Sequence, residues 1–294
     1  MKKRTIVIVI IFCTILAFWL RSIFRKSDLL DLTADGLGAE RNEARNYNFL
    51  RTSGKFNPWL FSTDTAFRNT NRSLNGKNAR WLVQTYDFTV ENVANSLNIP
   101  RALLYAVMLV ESGSVAAKAN FNHAKYESLL LGNLSSALGP MQVKPITATE
   151  TVQIAQTKGL VSEYHRMVLK RIIGAERTAE LFTLKAGATR TFSNNKIIAY
   201  SGPKTELNNP ELNIMIAGLK LANLIDNYGE RNLHQVLYAY NQGDRTLIAR
   251  NLKQYTTPAD FQRNITGEGK LYIERLLSSN GALDIIINDL KIFK

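Results

Sequence analysis

Ala102-Leu103-Leu104-Tyr105-Ala106-Val107-Met108-Leu109-Val110-Glu111-Ser112 is apolar at each position up to Val110 and then meets a carboxylate. A surface helix carries an apolar stripe, whereas a helix apolar all round is buried. The stretch therefore predicts the central helix of a mainly α domain. Glu111 falls at its C-terminal end, where the negative pole of the helix dipole and an apolar surround both disfavour the ionised form. A carboxyl kept protonated near neutral pH can protonate a glycosidic oxygen, which is the acid half of glycoside cleavage. The residues alone also allow a glutamate that simply ends the helix at the surface.

Working outward, Asn98-Ile99-Pro100 reads as a turn that places Pro100 at the first position of that helix. Helical patterning begins after Asn78, and Thr89 is expected to cap a helix running through about Leu97. Downstream, Asn209-Pro210-Glu211 opens a helix in which Ile214, Ala217, Leu221, Leu224 and Ile225 share a face, and Gly229 follows its end. Strand patterns are scarce apart from a short pairing around Lys196 to Tyr200.

The N-terminus reads differently. Lys2, Lys3 and Arg4 precede an apolar run from Ile6 to Leu20, and Arg21, Arg25 and Lys26 follow it. The run ends Phe18-Trp19-Leu20-Arg21 without the small residues of a cleavage site, which favours an uncleaved membrane anchor. Thr5 to Phe24 spans about 30 Å as a helix, enough for a hydrocarbon core if Arg21 snorkels. Residues 1–26 are thus expected to be the anchor, 27–77 a polar tether partly ordered near its end, and 78–294 the folded domain.

Composition narrows the chemistry. The 294 residues are 45% hydrophobic, so a substantial core is within reach. The formal net charge of +13 favours a polyanion, a lipid surface or a carboxylate-rich polymer as partner. No nucleic-acid-binding module accompanies that charge, so nucleic acid is not expected. The single cysteine, Cys13, lies in the apolar run, which removes disulfides, thiolate zinc sites and a cysteine nucleophile from the domain. His123, His165 and His234 lack metal-ligand spacing and read as ordinary core or surface histidines.

Five motifs follow one another in order: Leu109-Val110-Glu111-Ser112; Ser136-Ala137-Leu138-Gly139-Pro140-Met141-Gln142 with Pro145; Asn213-Ile214 with Gly218 and Leu221; Tyr238-Ala239-Tyr240-Asn241-Gln242-Gly243; and Tyr272-Ile273. Each is weak singly, but the ordered set, from about Phe88 to Leu277, resembles the soluble lytic transglycosylases, relatives of goose-type lysozyme. The resemblance implies a lysozyme-like helical catalytic domain acting on peptidoglycan glycan strands without a cofactor or metal. It implies Glu111 as sole catalytic acid and base, with Ser112, Gly139, Met141, Gln142, Tyr240, Asn241 and Tyr272 around the substrate.

Residue chemistry supports those roles unevenly. Gly139 suits a turn whose backbone approaches a sugar ring, and Gln142 offers an amide to hydroxyl or acetamido groups. Tyr240 offers an aromatic face and a hydroxyl, and Asn241 can bond backbone or substrate. For Met141 and Tyr238 core packing is the favoured reading, and for Asn213 and Gly218 a structural one.

A hydrolase ordinarily needs a second carboxylate. Between Glu111 and Gly139 the only other acid is Glu127, which reads as a surface charge. The family's chemistry fits better: the muramyl acetamido group assists departure and a 1,6-anhydromuramyl end forms. Alternatives are a lysozyme-type hydrolase, or a non-catalytic component holding peptidoglycan in a secretion, conjugation or phage apparatus. Residues 159–207 form an insertion relative to the family, with helices near Glu163 to Ile173 and Glu176 to Phe182. Pro140 stands where the family more often has leucine. The expected location is the cell envelope, with the domain on the periplasmic or external side of the cytoplasmic membrane.

Overall fold

The computed structural model describes residues 47–52, 55–56, 58, 74–112, 137–183, 192–193, 196–197 and 202–293. The anchor segment 1–26, Cys13, most of the 27–77 tether, His123, Glu127 and the side chain of Ser112 lie outside them. Among the described residues, no helix is long and apolar enough to cross a membrane.

The first helix, α1 (Gly76–Leu97), is capped by Asn75, whose side chain accepts the Asn78 N–H at 2.9 Å. It runs unbroken through Thr89, so the cap expected there is corrected. Leu82, Tyr86, Val90, Val93 and Leu97 bury one face at helical spacing, and that packing overrides a threonine's local preference for a cap. Asn98, left-handed at φ 49°, ends the helix. Pro100 then leads into α2 (Arg101–Ser112).

The α2 helix is as buried as its sequence demands: Ala102 to Leu109 are fully inaccessible and Val110 nearly so. Each large side chain removed from water there contributes about 1.5–3 kcal/mol. The Ala102 N–H at its start is satisfied from the far end of the chain, by the Phe293 carbonyl at 3.2 Å. Close by in the fold, β1 (Arg51–Thr52) and β2 (Lys55–Phe56) pair antiparallel. The Phe56 N–H donates to Asn288 at 2.8 Å, and the Arg51 guanidinium lies 3.7 Å from the Phe293 ring centroid. This part of the tether is therefore joined to the domain.

After a turn at 138–143 come α3 (Pro145–Thr157), α4 (Glu163–Ile173) and α5 (Ala175–Thr183). The α4 and α5 helices thus stand where the pattern put them. The pairing expected near Lys196 is an antiparallel contact of Phe192–Ser193 with Lys196–Ile197. His165 is buried in α4, with its ring nitrogens 2.9 Å from Ser162 Oγ and 3.1 Å from Ser96 Oγ, which ties α4 to α1.

The most buried residues of any described helix belong to α6 (Pro210–Tyr228), packed against α1, α3 and the next helix, α7 (Leu233–Gln242). Asn209 caps it by accepting the Glu211 and Leu212 N–H groups, Pro210 sits in its first turn, and Gly229 at φ 84° closes it. Gly218 is required by proximity: a Cβ there would lie 2.5 Å from Val93 Cγ1. Then follow α8 (Asp244–Ala249), α9 (Pro258–Asn264) and α10 (Gly267–Leu277). The chain closes with a short helix, Ala282–Asp284, passing into a π-helical turn, Ile285–Asp289. The α10 helix packs on both α7 and α2, which brings Tyr272 to the end of the central helix.

Candidate active site

Glu111 closes α2, where the chain's hydrophobic patterning stops. Its carboxyl is largely withdrawn from water, and the Tyr272 hydroxyl donates to Oε1 at 2.9 Å. Burial pushes the Glu111 carboxyl up to about 7, against the Tyr272 hydrogen bond and the charges of Lys220 and Arg275, which pull it down; the Glu268 carboxylate adds to the rise. The carboxyl therefore exchanges its proton near neutral pH, the range a general acid and base requires. Burial, reinforced by the adjacent Glu111 charge, holds the Tyr272 hydroxyl well above its ordinary value, so it stays a donor.

The second wall of the site is the turn at 138–143, closed by an isolated bridge between Leu138 and Val143. Gly139 at φ 67° and Gln142 at φ 48° supply its two left-handed residues. A Cβ on Gly139 would lie 2.4 Å from Asn213 Cγ and 2.6 Å from the Leu207 carbonyl, so the close approach it permits is to Asn213. Asn213, fully buried on α6, accepts the Met141 N–H at 2.8 Å and donates to the Leu138 carbonyl at 2.8 Å. That bonding agrees with its structural reading. The Met141 side chain is fully buried, as is that of Tyr238, in line with the packing readings of both. Gln142 folds back so that Nε2 donates to the Gly139 carbonyl at 2.8 Å.

Tyr240, on α7, joins the turn to the acid. Its hydroxyl donates to the Met141 carbonyl at 3.2 Å, and burial together with the Glu111 charge raises that hydroxyl well above its ordinary value. Asn241, next along the chain, accepts from Gln242 Nε2 at 2.5 Å. Glu111, Tyr272, Tyr240 and the 138–143 turn are thus brought together, with Asn241 beside Tyr240 on the same helix.

Three charged residues of the site were missed in the sequence. Lys220 is the one charge between Leu212 and Ile225 of α6, and that interruption of an otherwise apolar run was its signal. Glu268 and Arg275 fall four residues before and three after Tyr272, the spacing that places all three on one face of α10. Among the described residues, no group of three or more His, Cys, Asp and Glu side chains could hold a metal ion.

The family model for the transglycosylase SLT domain matches residues 188–262. That stretch contains the Asn213-Ile214 helix and the Tyr238 to Gly243 motif, while Glu111, the 138–143 turn and Tyr272 lie outside it. The match supports the resemblance to soluble lytic transglycosylases and suggests lytic transglycosylase activity on peptidoglycan in general. The mainly helical architecture is consistent with a lysozyme-like domain. No curated protein and no solved structure matches the chain.

Proposed function

We propose that the protein is a lytic transglycosylase that cleaves the β-1,4 bond between N-acetylmuramic acid and N-acetylglucosamine, with Glu111 as its sole acid and base. Glu111 gives its proton to the bridging oxygen as the bond to muramyl C1 breaks, and the muramyl acetamido oxygen assists from the opposite side. The resulting Glu111 carboxylate takes the proton of the same sugar's 6-hydroxyl as O6 closes on C1. A 1,6-anhydromuramyl end results, and Glu111 is again protonated. One observation carries this reading: a carboxyl at the end of the buried central helix, hydrogen-bonded by Tyr272 at 2.9 Å, which burial pushes up to about 7. The basic balance of +13 suits a polymer bearing lactyl and stem-peptide carboxylates.

The chain is further proposed to be held at the cytoplasmic membrane by residues 1–26, with the domain outside, in reach of the wall. Membrane association that persists when residues 1–40 are removed would count against this anchor.

Hydrolysis is the second reading, favoured by Glu268, a second carboxylate whose charge acts on Glu111. Such a group could activate water as an inverting hydrolase requires. Mass analysis of muropeptides released by the full chain separates the two. Anhydromuramyl ends that disappear in Glu111→Gln support transglycosylation, whereas only reducing muramic acid ends establish hydrolysis. Undiminished lytic activity in Glu111→Gln would remove Glu111 from either mechanism.

A further inference from the structure

Lys220 is out of place by the logic of its helix. Leu212 to Leu219 are buried before it, and Leu221 and Ala222 after it, yet a lysine occupies the middle of the run. Burying an ammonium is costly unless it is bonded. Its Nζ donates to the Tyr240 carbonyl at 2.7 Å and stands 4.4 Å from the centroid of the Tyr240 ring. That carbonyl belongs to the last turn of α7, where backbone acceptors lack helical partners and the dipole favours a cation. The charge is therefore fixed by three features together: a backbone acceptor, an aromatic face and a helix end.

Packing alone does not call for a charge here, because an unbranched methionine would bury a similar apolar stem without the cost of desolvation. What the charge does is reach Glu111. Lys220 from α6, and Arg275, Glu268 and Tyr272 from α10, act on the Glu111 carboxyl, while Glu111 and Lys144 act on Lys220. Glu111 lies at the C-terminal, negative end of α2 and is largely buried. Without a compensating cation a carboxylate formed there would be disfavoured.

We propose that Lys220 is a positioning residue for the reaction: a fixed positive charge, clamped on Tyr240, that stabilises the Glu111 carboxylate once its proton has passed to the leaving sugar. The inference rests on the acid and base role of Glu111. It assigns Lys220 to electrostatics, since Nζ is committed to Tyr240 and no proton passes through it. Burial leaves the ammonium releasing its own proton at about pH 8, above Glu111, so the charge is present while Glu111 works.

The test follows both groups by carbon NMR in the full chain, alongside the pH profile of peptidoglycan solubilisation. In Lys220→Met the Glu111 titration should move up by about one to two pH units, the effect of losing an unlike charge that acts on a buried carboxyl. The alkaline limb of the rate profile should follow it, and Lys220→Arg should restore both. Coupling between two sites is reciprocal, so Glu111→Gln should move the Lys220 titration down. An unmoved Lys220 in Glu111→Gln overturns the inference, and this arm decides if Lys220→Met does not fold. A Glu111 titration that shifts while the rate profile stays put also overturns it. Full activity in Glu111→Gln is a separate failure, of the function proposed for Glu111, and is recognised because the titrations remain coupled.

Discussion

Glu111 and Glu206 are both drawn partly out of water, and burial pushes both carboxyls up, yet they settle on opposite sides of their ordinary value. At Glu206 the burial effect is outweighed by the Lys204 N–H, which donates to Oε2 at 2.8 Å, and by the Arg177 guanidinium at 2.5 Å from Oε1. Glu206 is held below the usual carboxylate range and fastens the Thr205–Asn208 turn to α5. At Glu111, among the described residues, the one hydrogen-bond donor is the uncharged Tyr272 hydroxyl, and the nearby cations act without contact. The comparison teaches that the number and charge of direct donors, more than burial, separate a structural carboxylate from one that can cycle a proton.

The largest expected effect removes the cycling proton. Glu111→Gln should lower peptidoglycan solubilisation by about 10²–10⁴-fold, the usual contribution of a general acid and base, while Glu206→Gln should not approach that loss. Next comes stability. Because burial raises Glu111 from 4.5 to about 7, the folded protein holds a proton that the unfolded chain has released between those values, and wild-type stability declines as pH rises through that window. Glu111→Gln removes the decline, so above pH 7 it should be more stable than wild type by about 2–3 kcal/mol in denaturant titrations, with the difference gone near pH 4.

Tyr272→Phe makes the contrast sharper by taking away the only direct donor among the described residues. The lytic rate should fall about tenfold, the worth of one hydrogen bond to a charged group, and its alkaline limb should move upward because that bond pulls Glu111 down. The smallest effect lies on the structural side. Arg177→Met should cost about 1 kcal/mol at pH 7, a modest figure because the pair is partly solvated. Glu206 is held low, so its stabilisation is present above its unfolded value and lost as pH falls through its folded one. The Arg177→Met penalty should therefore fade in acid, and denaturant midpoints at pH 7 and pH 3 would reveal it.

Local chemistry was legible in the sequence, and relations between distant helices were not. Uniform apolarity announced α2, Asn209-Pro210 and Gly229 bounded α6, and α4 and α5 fell where their patterns began and ended. Thr89 misled because its side chain favours a cap, while burial of Leu82 to Leu97 along one face carries the helix straight through. Gly139 was recognisable as a turn glycine, but its neighbour, Asn213, lies on a helix whose phase only the fold reveals. Lys220 escaped for a similar reason: a lone charge in a buried helix is visible in the sequence, whereas the carboxyl whose charge it meets is not. The contact of the β1–β2 hairpin with Asn288 and Phe293 joins nearly opposite ends of the domain and leaves no local trace.

The Asn213 side chain bonds the 138–143 turn through main-chain atoms, the Leu138 carbonyl and the Met141 amide. Apart from Gly139, where a Cβ would strike Asn213, those bonds do not depend on the side chains the turn displays. Position 142 can accordingly exchange one polar group for another, provided a left-handed backbone is tolerated, while the turn keeps its station relative to α6. Evolution is thereby offered a reading head whose letters can be altered without moving the head.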